Sequence, residues 1–394
     1  MATYGLGREQ NFYLVKEGSL KNNYGLDSQV EFAAATNSAK VLSSTMDFSV
    51  AREDRMDSRA SRSVLERITG KQEVTWSCET YMLPRGGSDV PNIGPLIECA
   101  MGSVSTVTYS LADALPSLQM ARVLPGVIRE ELFGCWVEEM TVTASGAEPI
   151  KMSFSGGACE YALTGSGTSA NTGSGASALV VGTNEAFNFT AGSRITIADG
   201  GVAAGVIVAG SSSATAVALA TTYSWATSKA ITPHVPAGTI GTHGNPTSGI
   251  TGSVSVNGST LTVTGFEVTM TNNIKPLSDE YGTKGSTDFI PGFRSVTGSV
   301  TVRAEKDDIK ALARRYQAPG QIIADGVPTF ATVAIILTLG ETDDKKQVIT
   351  LPTCELDFGS IDVPESEEAV LNIPFTALGA STGNNEFTFE WNNG

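Results

Sequence analysis

Carboxylates are the residues in this 394-residue sequence best able to support catalysis or hold a cation, and three groups stand out: Asp307–Asp308, Asp343–Asp344 and Asp362–Glu368. Paired carboxylates act as acid and base, or bind a hard cation, only at defined separations and beside a nucleophile, a base or further ligands. None of the three groups has the spacing of a calcium loop or such a neighbour. They read as solvated turns, and Asp307 with Asp308 suits the positive end of a helix. The five cysteines, Cys78, Cys99, Cys135, Cys159 and Cys354, are odd in number, scattered and never in a CxxC pair, which predicts buried free thiols rather than a disulfide framework or a zinc site. His234 and His243 lie in a Pro/Gly-rich stretch with no cysteine or carboxylate cluster nearby, a poor metal site. The Gly/Ser-rich stretch Thr164–Ser177 lacks the Gly-Lys-Ser/Thr ending of a phosphate loop. The expectation is a protein that is not an enzyme and holds no metal or cofactor.

The elements that carry these residues are mostly strands. Charged residues are 17% of the chain and Gly, Ala, Ser, Thr and Val abound between turn residues, so a β-dominated architecture with few, short helices is predicted. One strand pattern occurs twice. Setting Thr69–Gly70 over Thr297–Gly298 puts Ile68, Gly70, Val74 and Trp76 in phase with Val296, Gly298, Val302 and Ala304, each copy alternating apolar and polar. The repetition continues on both sides. Ser44–Val50 corresponds to Thr264–Met270 before it, and each is followed by a long polar loop. After it come Pro91–Met101 and Lys306–Tyr316 with apolar residues at helical spacing, and then Ile150–Gly156 and Val370–Thr376 as alternating strands. A preserved order of strand, loop, strand, helix and strand marks an internal duplication. Val104–Val123 reads as two strands about a turn near Pro116, with its counterpart at Thr329–Leu339. The strand Cys135–Thr143 places Cys135, Val137, Glu139 and Thr141 on one face and Trp136, Glu138, Met140 and Val142 on the other.

These features divide the chain into an N-terminal arm (1–40), a first repeat (41–162), a small inserted β domain with its Gly/Ser linker (163–236), and a return segment with the second repeat (237–394). The arm reads as extended chain or an edge strand. The alternating charges of the loop around Arg52, Arg55, Arg59 and Arg62 read first as a solvated face; this loop and the longer loop of the second copy with Lys275, Asp279 and Glu280 are also the candidate inter-subunit contacts, because a long polar loop reaches a neighbour at little entropic cost. A net charge of −15 speaks against binding to nucleic acid by phosphate neutralisation; it suits plain solubility or a surface past which a polyanion can slide, and composition does not choose between the two. The start of the sequence lacks the apolar core of a signal peptide, and its longest apolar run is too short for a membrane helix, so a protein made and used in the cytosol is expected.

The motifs in this order resemble those of the tail tube proteins of long-tailed bacteriophages, in the version with a duplicated tube domain. The likeness rests on Ile68–Lys71 running into Glu79–Met82, on Gly94–Ile97 and Ala100–Gly102, on Asn272–Asn273 closing a strand and Gly292–Gly298 opening the next, and on Val370–Leu378 followed by Gly383–Trp391. It covers the chain outside the insertion. The resemblance implies a mainly β fold: two repeated tail-tube-like β-sandwich or barrel domains, each with a short helix, plus the inserted β domain. It implies a structural subunit of the virion tail whose pseudo-sixfold rings, three chains each, stack into a tube for DNA ejection. The implied partners are further copies of the chain, a tape measure protein, the tail terminator and the distal tail or baseplate proteins, with DNA passing unbound and no membrane. On that reading Glu73, Thr75, Ser299 and Thr301 are candidates for the face toward the lumen. The alternative from another class is a β-rich virion decoration or receptor-binding protein.

Overall fold

The computed structural model describes residues 10–21, 32–55, 66–83, 92–198, 205–238, 246–256, 258–303, 332–340, 346–357, 361–362, 369–379 and 383–392. It is mainly β. The first unit contains β1 (Asn11–Lys16), β2 (Ser38–Ala39), β3 (Ser43–Asp54), β4 (Arg67–Tyr81), the helix Gly94–Met101, β5 (Gly102–Ser105), β6 (Thr108–Leu111), β7 (Leu118–Leu124), β8 (Ile128–Ser145), β9 (Lys151–Gly157) and β10 (Glu160–Thr164). A separate six-stranded sheet follows, formed by β11 (Gly167–Thr168), β12 (Gly173–Val180), β13 (Arg194–Ile197), β14 (Val206–Ser213), β15 (Ala216–Trp225) and β16 (Ala230–Pro233). The second unit contains β17 (Ser253–Val256), β18 (Ser259–Leu261), β19 (Val263–Thr271), β20 (Lys275–Leu277), β21 (Asp288–Ile290), β22 (Ser295–Arg303), β23 (Val333–Leu339), β24 (Lys346–Leu356), β25 (Ile361–Asp362), β26 (Val370–Ala377) and β27 (Thr388–Asn392).

Each unit is two sheets that share one long bent strand. In the first unit the initial half of β8 pairs with β7 and β10, while its second half pairs with β9 and, beyond it, with β19. Gly134 makes the bend at φ +62°, a left-handed conformation that costs glycine nothing. The buried Glu17 carboxylate braces it, accepting the Gly134 N–H at 3.1 Å and the Ser117 hydroxyl at 2.6 Å. In the second unit β24 does the same, pairing first with β23 and β27 and then, past Pro352, with β26. The pairing corresponds in the main strands: β1 on β7 matches β17 on β23, and β3–β4–β9 matches β19–β22–β26. The duplicated pattern therefore takes in β1 and β2. Phe12, Tyr13 and Leu14 are buried, and β1 is paired on both sides, so this part of the entry segment is neither a free arm nor an edge.

Three other expectations change. The repeat register slips by four residues, because Met46 faces Trp76 and Phe266 faces Val300, which matches Trp76 to Val300 rather than to Ala304. An even slip keeps every side chain on its face, so periodicity alone could not detect it. Val104–Val123 forms three strands, β5, β6 and β7, with Thr106 at φ +58° in the turn between the first two. On β8 the strict alternation fails: Trp136 and Val137 are both buried, with a register shift between Val137 and Glu139 within the pairing to β9, just past the bend at Gly134.

The helix begins at Gly94 rather than Pro91. Pro95 sits in its first turn, Gly102 ends it in the left-handed region, and Leu96, Ile97, Cys99, Ala100 and Met101 enter the core. Its counterpart, expected at Lys306–Tyr316, lies outside the described residues. A single apolar core runs through both units, from Leu14 and Trp76 to Phe375 and Trp391. The six-stranded sheet has its own smaller core around Phe189, Ile195, Val208 and Trp225.

The stretch Thr164–Ser177 is not a free linker. Gly167–Thr168 and Gly173–Val180 are strands, and Trp225 donates to the Asn171 carbonyl at 3.0 Å. The indole lies so close over Gly173 that a Cβ there would meet it at 2.6 Å, which explains the small residues without any need for flexibility. The chain leaves the first unit at Thr164, opposite Arg129, and returns at His234, whose carbonyl accepts from Arg129 Nη1 at 2.8 Å. Arg129 is fully buried. Its Nη2 pairs with the equally buried Glu131 at 2.6 Å, its guanidinium lies over the Phe32 ring, and Gln119 donates to the same Glu131 oxygen.

Candidate functional site

The second halves of both units form one continuous antiparallel wall in the order β3–β4–β9–β8–β19–β22–β26–β25. One face packs on the core through Met46, Val74, Trp76, Cys78, Phe154, Met140, Val142, Phe266, Val268, Met270, Val296, Val300, Ile373 and Phe375. Strand alternation sends the opposite residues to solvent. That face is a carpet of short polar side chains, Thr45, Thr75, Ser77, Ser155, Thr141, Thr269, Thr297, Ser299 and Thr301, aligned strand to strand through the pairing registers. Glu73, Thr75, Ser299 and Thr301 all lie on it, two from each unit.

Charge on this face has an acidic excess: Asp47, Glu73, Glu79, Glu139, Glu267 and Glu355 project from it with Lys151 and Arg303, and toward the end of the β3–β4 pair the same alternation adds Lys71, Arg52 and the paired Arg67 and Asp54. Lys151 is held by Glu79 at 3.1 Å, and that partner raises the affinity of its amine for a proton. The seam between units is closed on this face by Thr141 and Thr269, whose hydroxyls are 2.9 Å apart.

The loop candidates fall into two arrangements. Beyond Met46 and Val74 the β3–β4 pair runs on as a hairpin with Asp47, Phe48, Arg52, Ile68 and Gly70 exposed. Near its end Arg67 meets Asp54 at 2.8 Å and Arg55 meets Glu66 at 3.2 Å. Arg59 and Arg62 lie outside the described residues. The second unit's loop, carrying the β20–β21 pair, folds onto the first unit of the same chain. Lys71 donates to the Glu280 carbonyl at 2.6 Å, Gln72 N–H to the Lys284 carbonyl at 2.6 Å, and Phe289 packs against Trp136. Lys275 and Asp279 are exposed in this loop. Sequence reasoning missed Asn272 and Arg294 as a joint between units. Asn272 donates to the carbonyls of Ala100 and Val137, and Arg294 reaches the Ala112 carbonyl at 2.6 Å and Glu386 at 3.3 Å. Only the Asn-Asn pair closing a strand gave a signal.

Residues 186–377 match the family described as phage tail tube protein. That stretch belongs to the tail tube family. It begins inside the six-stranded sheet and ends on the last residue of β26, so the tail tube match takes in part of the insertion that the sequence reading set apart from the family pattern. The family assigns a structural role in the tail of a phage virion. The first unit lies outside that match, and its strands join those of the second unit in one wall. No curated protein matches the chain.

Among the described residues there is no group of three or more His, Cys, Asp or Glu that could hold a metal ion, and no helix is long and apolar enough to cross a membrane. All five cysteines are free and buried. Burial pushes the thiols of Cys78 and Cys354 up to about 12, and that of Cys135 well above its ordinary value. Thiol labelling of the folded protein at pH 8 should therefore leave them unmodified, with all five reacting in denaturant. Rapid labelling of the folded chain would contradict the packing described for the core.

Proposed function

We propose that the chain is the building block of a phage tail tube, with the polar face of its wall turned toward the channel. The observation that carries this reading is the single sheet running through both units with a solvent face of hydroxyls and carboxylates. A polyanion passing many such rings meets no row of cations on which to exchange its counterions, so it slides rather than binds. The packed face turns outward to the second sheet of each unit. Arg303 is at the end of β22, at the margin of this face rather than its middle.

Two tube-like units in one chain make three chains the natural ring, giving six units about a pseudo-sixfold axis. Rings then stack, aided by the exposed β3–β4 hairpin and by the loop containing Lys275, Asp279 and Glu280. A tape measure protein would occupy the channel during assembly, with a terminator and distal tail proteins closing the ends. Native mass measurement of isolated rings tests the stoichiometry, with three chains expected. Six chains per ring would overturn it, and discrete monomers or fibres under negative stain would favour a decoration or receptor-binding protein.

A further inference from the structure

The two units repeat each other closely enough that side chains present in one show what the other lacks. β7 and β23 carry the same register shift against the bent strand, between Leu118 and Met120 in the first unit and between Val333 and Ile335 in the second, so Arg122 takes the place of Leu337 and Glu130 that of Ile349. Arg122 faces Phe12 as Leu337 faces Val254, which sets Gln10 over Gly252. Met46 faces Trp76 as Phe266 faces Val300, which sets Ser44 over Thr264.

In the first unit these side chains close the mouth between the two sheets. Arg122 pairs with Glu130 and donates to the Ser44 carbonyl at 2.9 Å, and Gln10 donates to the Ser44 hydroxyl at 2.9 Å. The second unit has glycine, leucine and isoleucine at the places of Gln10, Arg122 and Glu130, and its mouth stands open as a pocket lined by Gly252, Val254, Thr264, Phe266, Leu337 and Leu339. We propose that this pocket receives Phe293 of a second copy placed head to tail along the strands of the wall.

β19 connects the two features. The pocket lies at its start, and Phe293 lies past its end, where the Asn273 amide donates to the Phe293 carbonyl at 2.6 Å. The nine residues of this strand hold knob and mouth about 30 Å apart, so they meet only between copies. Phe293 is 95% exposed, and Ile290 and Tyr281 of the same loop are exposed with it. An apolar projection at one end of a molecule and a matching pocket at the other make a contact that does not close on itself and therefore propagates as a filament. Charge agrees with this pairing. Lys275, exposed opposite Ile290, flanks the knob, and the exposed Glu148, whose carbonyl accepts from the Gly249 N–H, flanks the mouth. Counting back from Trp76 and Val300 puts Thr69 where the second unit has Phe293. Each chain thus offers one knob and one mouth, both on its second unit.

The contact rests on the tube reading in that copies must associate end to end, and its test uses the full chain. Phe293→Ser should leave the mass of isolated rings unchanged and raise the concentration needed for tube growth at least about tenfold, the loss expected from one buried phenyl ring per chain. Gly252→Gln puts into the mouth the side chain that helps to close it in the first unit, on an extended backbone at φ −94° that any residue adopts, and should have the same effect. Cysteines read the geometry. Mixed single variants Phe293→Cys and Ser253→Cys should give covalent dimers with a short bis-maleimide and the double variant longer ladders, while neither single variant alone gives any. Ser43→Cys, at the same rim but in the first unit, should give little product with Phe293→Cys, and equal yields overturn the proposal. In the unaltered protein Phe293 should be protected from hydroxyl-radical oxidation in tubes and open to it in separated rings; equal oxidation in both overturns the contact whatever the variants do. Tubes that grow as well with Phe293→Ser and Gly252→Gln as without them reject the contact and leave the tube reading standing, whereas an unaltered chain that forms neither rings nor tubes rejects both.

Discussion

Replacing Glu131 with leucine should destabilise the chain by about 3–5 kcal/mol, because Arg129 would be left as an uncompensated charge in a fully buried site. Arg129→Met should cost a similar amount. It leaves the Glu131 carboxylate unpaired and also removes the donor to the His234 carbonyl. The double variant Arg129→Met, Glu131→Leu is expected within about 1–2 kcal/mol of the original chain, since an apolar pair of similar volume escapes the desolvation cost of both ions. Denaturant unfolding of the three variants measures this coupling. Additive losses in the double variant would show that the two residues do not act as a pair. The pair also lies where the six-stranded sheet joins the first unit, so the single variants should open the Thr164 and His234 connections to protease before the core unfolds.

Reversing charge on the wall should change what the assembled protein does with DNA while leaving its fold nearly untouched. Glu139 and Glu267 are exposed on neighbouring strands of the polar face. The variant Glu139→Lys, Glu267→Lys should unfold within about 0.5 kcal/mol of the original for each exposed site. Assembled into tubes, it should retain DNA at low salt and release it steeply as salt rises, by on the order of a thousandfold between 50 and 200 mM if several phosphates are contacted. The unaltered tubes should retain none. Variant tubes that bind no more DNA than the original would contradict the placement of this face on the channel.

Much of the wall was legible because period-two alternation is a strong signal. Val74, Trp76 and Cys78 against Glu73, Thr75 and Ser77 define a half-buried strand from residue types alone, and the same holds for Val296, Val300 and Val302. Register was not legible, because a slip of four residues preserves the faces and is fixed only by partners far away in sequence. The bend in β8 was also hidden. It depends on Gly134 and on a buried carboxylate from β1's end, more than a hundred residues away. Composition misled at Thr164–Ser177, where Gly and Ser admit Trp225 rather than loosen the chain. The joint made by Asn272 and Arg294 uses carbonyl acceptors, which every residue possesses and no sequence pattern reveals.

The most direct test of the central claim is an experimental map of the assembled protein at side-chain detail. The account predicts a tube whose inner surface carries Glu73, Thr75, Glu139, Glu267, Ser299 and Thr301 and has a negative potential along its length, with Trp76, Phe154 and Phe375 behind it in the wall. A tube with that face turned outward, or with a continuous positive inner surface, would contradict it.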